Sequence, residues 1–136
     1  MSEVLFAVTF PLAAPFWALM ILLPTWSWTR RIIGSPLIVV PPLLVYAILV
    51  VPHLGEFLPA VAGPTLDSVR DLLAVPAGTA AAWAHFIAFD LFVGRWMYLD
   101  SRDRGTHPLV MAPLLVLTIL FGPLGLLVYL AVRARI

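Results

Sequence analysis

Hydrophobic residues fall along this chain in long blocks separated by brief polar punctuation. No Asp, Glu, Lys or Arg lies between Glu3 and Arg30, between Arg31 and Glu56, or between Arg104 and Arg133. Each gap exceeds the ~20 residues a helix needs to cross the hydrocarbon of a bilayer. A further block, Ala77 to Leu99, is apolar apart from a few positions, among them His85, Asp90 and Arg95. The pattern predicts an all-α integral membrane protein, a four-helix bundle with helices over about 3–23, 36–51, 77–99 and 109–131. Pro11, Pro15, Pro41 and Pro42 fall inside these helices and predict kinks; Gly122, Pro123 and Gly125 predict a break near the centre of the fourth.

The connections carry their own signals. Trp26 and Trp28 stand beside Arg30 and Arg31, an interfacial anchor after the first helix. His53 to Gly78 reads as a long proline-punctuated loop. Within it, residues 66–74 place Asp67, Arg70 and Asp71 on one side and Leu66, Val69, Leu72 and Leu73 on the other, as in a helix lying on the bilayer surface. Four crossings put both termini on one side. The first and third loops then hold Arg30, Arg31, Arg102 and Arg104, against Arg70, Arg133 and Arg135 on the other side, which favours cytoplasmic first and third loops.

Composition agrees with the pattern. The 136 residues are 62% hydrophobic and 11% charged, with a mean hydropathy of +1.05, and they form a single transmembrane domain over 1–136 with no room for a soluble one. No basic residue precedes the first apolar run, so that segment reads as a retained helix and not as a cleaved signal. A net charge of +1 leaves no electrostatic footprint for nucleic acid. With no cysteine there is no iron–sulfur ligation or thiolate nucleophile, and with no lysine there is no retinal Schiff base. The absence of lysine together with abundant Ala, Gly, Arg and Pro suggests a bacterial inner-membrane protein.

Candidate chemistry concentrates in the third helix. Asp90 falls near its middle, where a carboxylate costs roughly 2.5–3.5 kcal/mol on insertion scales and needs a partner, a cavity or a task. His85, Asp90 and Arg95 are spaced five apart and so point about 140° from one another. One interior face cannot hold all three, which predicts that Arg95 snorkels or pairs with Asp100 or Asp103, or that the protein self-associates or joins a membrane complex. The aromatic residues Trp17, Trp83, Phe86, Phe89, Trp96 and Tyr98 are candidate walls for a long flat apolar ligand such as a carotenoid or quinone. His53, His85 and His107 lie in separate elements without metal-binding spacing, so no cofactor is expected; a mononuclear metal on His85, Asp90 and a residue from another helix is the lesser alternative.

The run AWAHFIAFDLFVGRWMYLDSRDRG, followed by LTILFGPLGLLVYL, resembles the family of small membrane proteins named for the plant abscisic-acid-deficient-four protein, required for neoxanthin formation. The resemblance implies carotenoid metabolism, in plants the conversion of an epoxy-xanthophyll into an allenic one. That reaction is an isomerisation, for which an acid and a base suffice. On this model Asp90 or His85 protonates the epoxide oxygen, another polar group removes a ring-side proton, and Arg95 stabilises charge. The expectation is a carotenoid-binding and carotenoid-modifying protein, an isomerase or oxidase acting on a ring-bearing polyene by isomerisation, oxidation or cleavage, in contact with membrane lipid. The alternatives are a non-enzymatic pigment- or lipid-binding subunit and a small proton-coupled transporter.

Overall fold

A computed structural model describes residues 1–135, which are helical almost throughout. Helix α1 (Ser2–Leu22) continues through Pro11 and Pro15 and buries Thr9, Ala13, Trp17 and Met20 at helical spacing. Helix α2 (Ser27–Gly34) is short and amphipathic. A 3-10 turn at Pro36–Val39 leads into α3 (Val40–Val50), and a second at Val51–His53, started by Pro52, leads into α4 (Leu54–Ala62). Then come α5 (Leu66–Ala74), α6 (Pro76–Asp103), α7 (Pro108–Leu120) and α8 (Gly122–Arg133).

Three helical stretches are long and apolar enough to cross a membrane: Ser2–Leu22, Pro36–Ala62 and Pro76–Asp103. The second runs past the expected end at Val51 and continues through Pro59, with Phe57 and Ala60 packed inward there. The segment expected as a loop over His53 to Gly78 is therefore mostly helical. A helix spans Leu66–Ala74, the residues over which a surface helix was expected. It is closed at its start by a reciprocal cap in which the Ser68 amide donates to the Thr65 hydroxyl and the Thr65 amide to the Ser68 hydroxyl, both at 3.0 Å.

α6 is the central element, packed against α1, α2, α3, α5, α7 and α8. Ala80, Ala81 and Ala84 let α3 approach closely with Val45 and Leu49, and Phe57 of α4 joins the same cluster. Further along, Ile87, Leu91 and Met97 meet Trp17, Met20 and Leu115 in the larger core. Gly94 belongs to this packing: a methyl group there would overlap the Trp17 ring. With neighbours on several sides, α6 has more than one interior face. Arg95 finds its partners within the chain on one of these faces, whereas His85 is exposed.

The expected fourth helix, about 109–131, is instead two antiparallel helices. The break falls at Phe121, directly before Gly122 and Pro123. α7 runs back along α6, its Thr118 hydroxyl 3.5 Å from the Met97 sulfur, and α8 then reverses. Gly125 is pressed so closely on Thr118 that a Cβ would overlap it. At the far end of α8, Arg133 Nε donates to Asp100 Oδ2 at 2.7 Å and the Tyr129 hydroxyl donates to the same oxygen at 2.6 Å. α8 therefore runs parallel to α6 and ends beside the point where α7 began.

Candidate functional site

The turn between α7 and α8 brings its backbone against the middle of α6. Gly122 opens α8 and lies so close to Asp90 that a Cβ at that position would overlap the carboxylate. Half-buried Asp90 accepts no hydrogen bond and pairs with no cation among the described residues. Pro123 has no amide hydrogen, and the N-terminal amides of a helix have no partners within it, so the carboxylate faces a weakly positive helix end and not a formal charge. That placement offsets part of the cost of a carboxylate at this depth and leaves its oxygens free to meet another molecule.

Asp90 borders a cavity of about 850 Å³, whose walls come from α1 (Phe10), α6 (Trp83, Phe86, Phe89) and the α7–α8 turn (Phe121, Pro123). The volume suits a large apolar ligand, and the lining is aromatic and aliphatic with few polar groups. Phe6 of α1 lies over Trp83 with ring centroids 5.3 Å apart. His85 also lines the cavity; its ring stacks on Phe89 at 4.8 Å and meets Tyr46 of α3 edge-on at 5.8 Å. His85, Asp90, Trp83, Phe86 and Phe89 thus share one cavity.

The other candidates lie elsewhere. Arg95 is not at the cavity: its Nε donates to the Ile33 carbonyl at 2.7 Å and its Nη2 to the Gly34 carbonyl at 2.6 Å. These are carbonyls at the C-terminal end of α2, where a cation is favoured by the helix dipole. Arg95 therefore docks the amphipathic helix onto α6, in place of the snorkelling or carboxylate pairing anticipated for it. Trp17 is buried against Gly94. The Tyr98 hydroxyl donates to the Pro24 carbonyl at 2.6 Å, tying the end of α1 to α6. Trp96 meets Tyr129 edge-on at 5.6 Å and carries the Arg133 guanidinium over its ring at 5.6 Å.

Two features, one at the site and one away from it, are not apparent from α6 alone. One is Gly122, whose missing side chain makes room for the carboxylate; the glycine-proline break marked it, although its partner did not. The other is the cluster in which Asp100 accepts from Tyr129, Arg133 and, at 3.2 Å, Arg104. Nearby, Asp103 hydrogen-bonds Arg30 of α2 and raises the guanidinium pKa above its ordinary value. Among the described residues, no three His, Asp or Glu side chains gather as a metal-ligand group.

A family model described as ABA DEFICIENT 4-like matches residues 4–129, nearly the whole chain. No curated protein and no solved structure matches significantly.

Proposed function

The chain belongs to the ABA DEFICIENT 4-like family, and on that premise we propose that it binds a carotenoid-like polyene in the cavity beside Asp90 and modifies one ring-bearing end by proton transfer. Family membership supports a carotenoid-related role in a membrane. The observation that carries the chemistry is a carboxylate without partner or counter-charge among the described residues, facing an aromatic-lined cavity of about 850 Å³. A structural carboxylate in an apolar helix is ordinarily paired, whereas one that must exchange a proton with a ligand keeps its oxygens available.

In this reading Asp90 gives a proton to an oxygen on the ring end of the ligand, and His85, on the same cavity, takes one from the ring. Trp83, Phe86 and Phe89 hold the polyene. Arg95 has a positioning role through α2. An isomerisation is the simplest reaction for this set, since one proton is given and one is taken and no electrons are exchanged.

Expression in a carotenoid-producing bacterium tests the binding. The purified protein should retain a polyene with structured visible absorption, identifiable by mass spectrometry. Colourless protein from a pigmented host would remove the reading. Incubation with added carotenoid then separates conversion from retention alone, the outcome expected of a pigment-binding subunit.

A further inference from the structure

The α7–α8 pair has enough residues for one membrane crossing, yet its contacts do not run as a crossing requires. A helix continuing from α7 would carry Arg133 toward the level of Pro76, the far end of α6. Instead Arg133 and Tyr129 bind Asp100, three residues from the end of α6, while Gly122 meets Asp90 near the middle. The ten residues from Asp90 to Asp100 rise about 15 Å, close to the rise from Gly122 to Arg133, so α6 and α8 keep the same register at both ends.

We propose that α7–α8 is a re-entrant hairpin in a protein that crosses the membrane three times, and that the space beyond its tip is a groove loaded from the extracytoplasmic leaflet. The loading side rests on the polyene reading above; the three crossings do not depend on it. A hairpin that stops halfway leaves the other half of the bilayer unfilled beside α1 and α6. The cavity occupies that half: Phe10, Trp83 and Phe86 lie between the hairpin tip and the end of α6 at Pro76, and Leu120 to Pro123 form its floor. Irregular backbone at membrane depth is tolerated where it lines a cavity, and the break at Phe121 does so. Trp83, Phe86 and Phe121 are exposed on the protein surface, so the groove opens sideways into lipid.

Charge orients this arrangement. With the hairpin returning, Arg133 and Arg135 join Arg30, Arg31, Arg102 and Arg104 at one end of the molecule, and only Arg70 stands at the other, with Glu3, Glu56, Asp67 and Asp71. A four-crossing count divides the same loop arginines almost evenly. Six against one is a strong positive-inside signal, which makes the α2 end cytoplasmic and puts the N-terminus and α5 outside.

The chain has no native thiol, so single cysteines report cleanly. Ser2→Cys, Leu66→Cys, Ser27→Cys and Ala134→Cys are treated with a membrane-impermeant maleimide in spheroplasts, before and after permeabilisation. Ser2→Cys and Leu66→Cys should label from outside, and Ser27→Cys and Ala134→Cys only after permeabilisation. Labelling of Ser2→Cys and Ala134→Cys from the same side would overturn the hairpin. Opposite sides with Ala134→Cys outside would overturn the leaflet assignment. These results require no pigment, so they stand apart from failure to retain one. For the groove itself, Phe6→Cys beside Trp83 should label several-fold more slowly in protein from a pigmented host than from an unpigmented one. Equal rates in protein shown to carry polyene would overturn the groove as its seat.

Discussion

α6 carries two carboxylates whose circumstances are opposite. Asp100, near the end of the helix, accepts hydrogen bonds from Tyr129, Arg133 and Arg104, and its side chain is only 17% exposed. Asp90, ten residues earlier and deeper in the apolar stretch, accepts none among the described residues and faces a cavity and a glycine. Both meet α8, one at each end of it. The paired carboxylate sits where water is nearest, and the unpaired one where it is most distant. Desolvation alone would predict the reverse, since the deeper charge has more need of partners. On the proposed function, the contrast separates a group that fixes geometry from a group held ready for a ligand.

The sharpest way to break this contrast is Asp90→Asn. If Asp90 exchanges a proton, conversion of carotenoid should fall by about 100-fold or more, the range for loss of a general acid or base. The melting temperature should hold or rise, because an uncompensated charge has been removed. Full activity in the asparagine variant, measured on the same preparation as its melting, would return Asp90 to a packing role.

Gly122→Ala tests the same site from the facing helix. Its methyl group must displace the carboxylate, so turnover should drop on the order of 10- to 100-fold, as expected for a reacting group shifted by about an ångström. Polyene retention, read by absorbance, should change much less than turnover. Loss of both in equal measure would mean that the turn, not the carboxylate, had been disturbed.

Tyr129→Phe addresses the other carboxylate. It deletes one hydrogen bond to Asp100 without altering ring packing on Trp96, and should cost about 1–3 kcal/mol of stability while leaving the chemistry of the bound protein intact. A selective loss of turnover at unchanged melting temperature would show that the two carboxylates are coupled. The smallest effect belongs to Asp103→Asn, which breaks an exposed pair with Arg30. Neither melting nor conversion should change measurably, and a clear effect on either would show that docking of α2 depends on more than Arg95.

Much of this was legible from local pattern, and what was not has a common cause. Hydropathy located the three long apolar stretches, the amphipathic face marked Leu66–Ala74, and the glycines and proline marked the break at Phe121. Asp90 stood out because a charge at that depth demands an explanation. The direction α8 takes after the break was not readable, because a helix that continues and one that doubles back have the same composition and period. Contacts distant in sequence fix it: Asp100 with Tyr129 and Arg133, 29 and 33 positions away, and Gly125 pressed on Thr118. The same holds for Arg95, whose partners Ile33 and Gly34 offer carbonyls that every residue possesses. α2 and α4 escaped notice because one is eight residues long and the other contains Pro59.

The clamp between Arg133 and Asp100 has an electrical consequence. On the three-crossing topology, straightening α7 and α8 into a full span would carry Arg133 and Arg135 outward through an energised membrane whose interior is negative. Each unit charge moved against such a potential costs about 2.3 kcal/mol per 100 mV. A membrane held at such a potential would add its voltage to the hydrogen bonds that fold the hairpin back. Collapse of the potential should weaken the hold on the C-terminus even though no contact within the protein has changed.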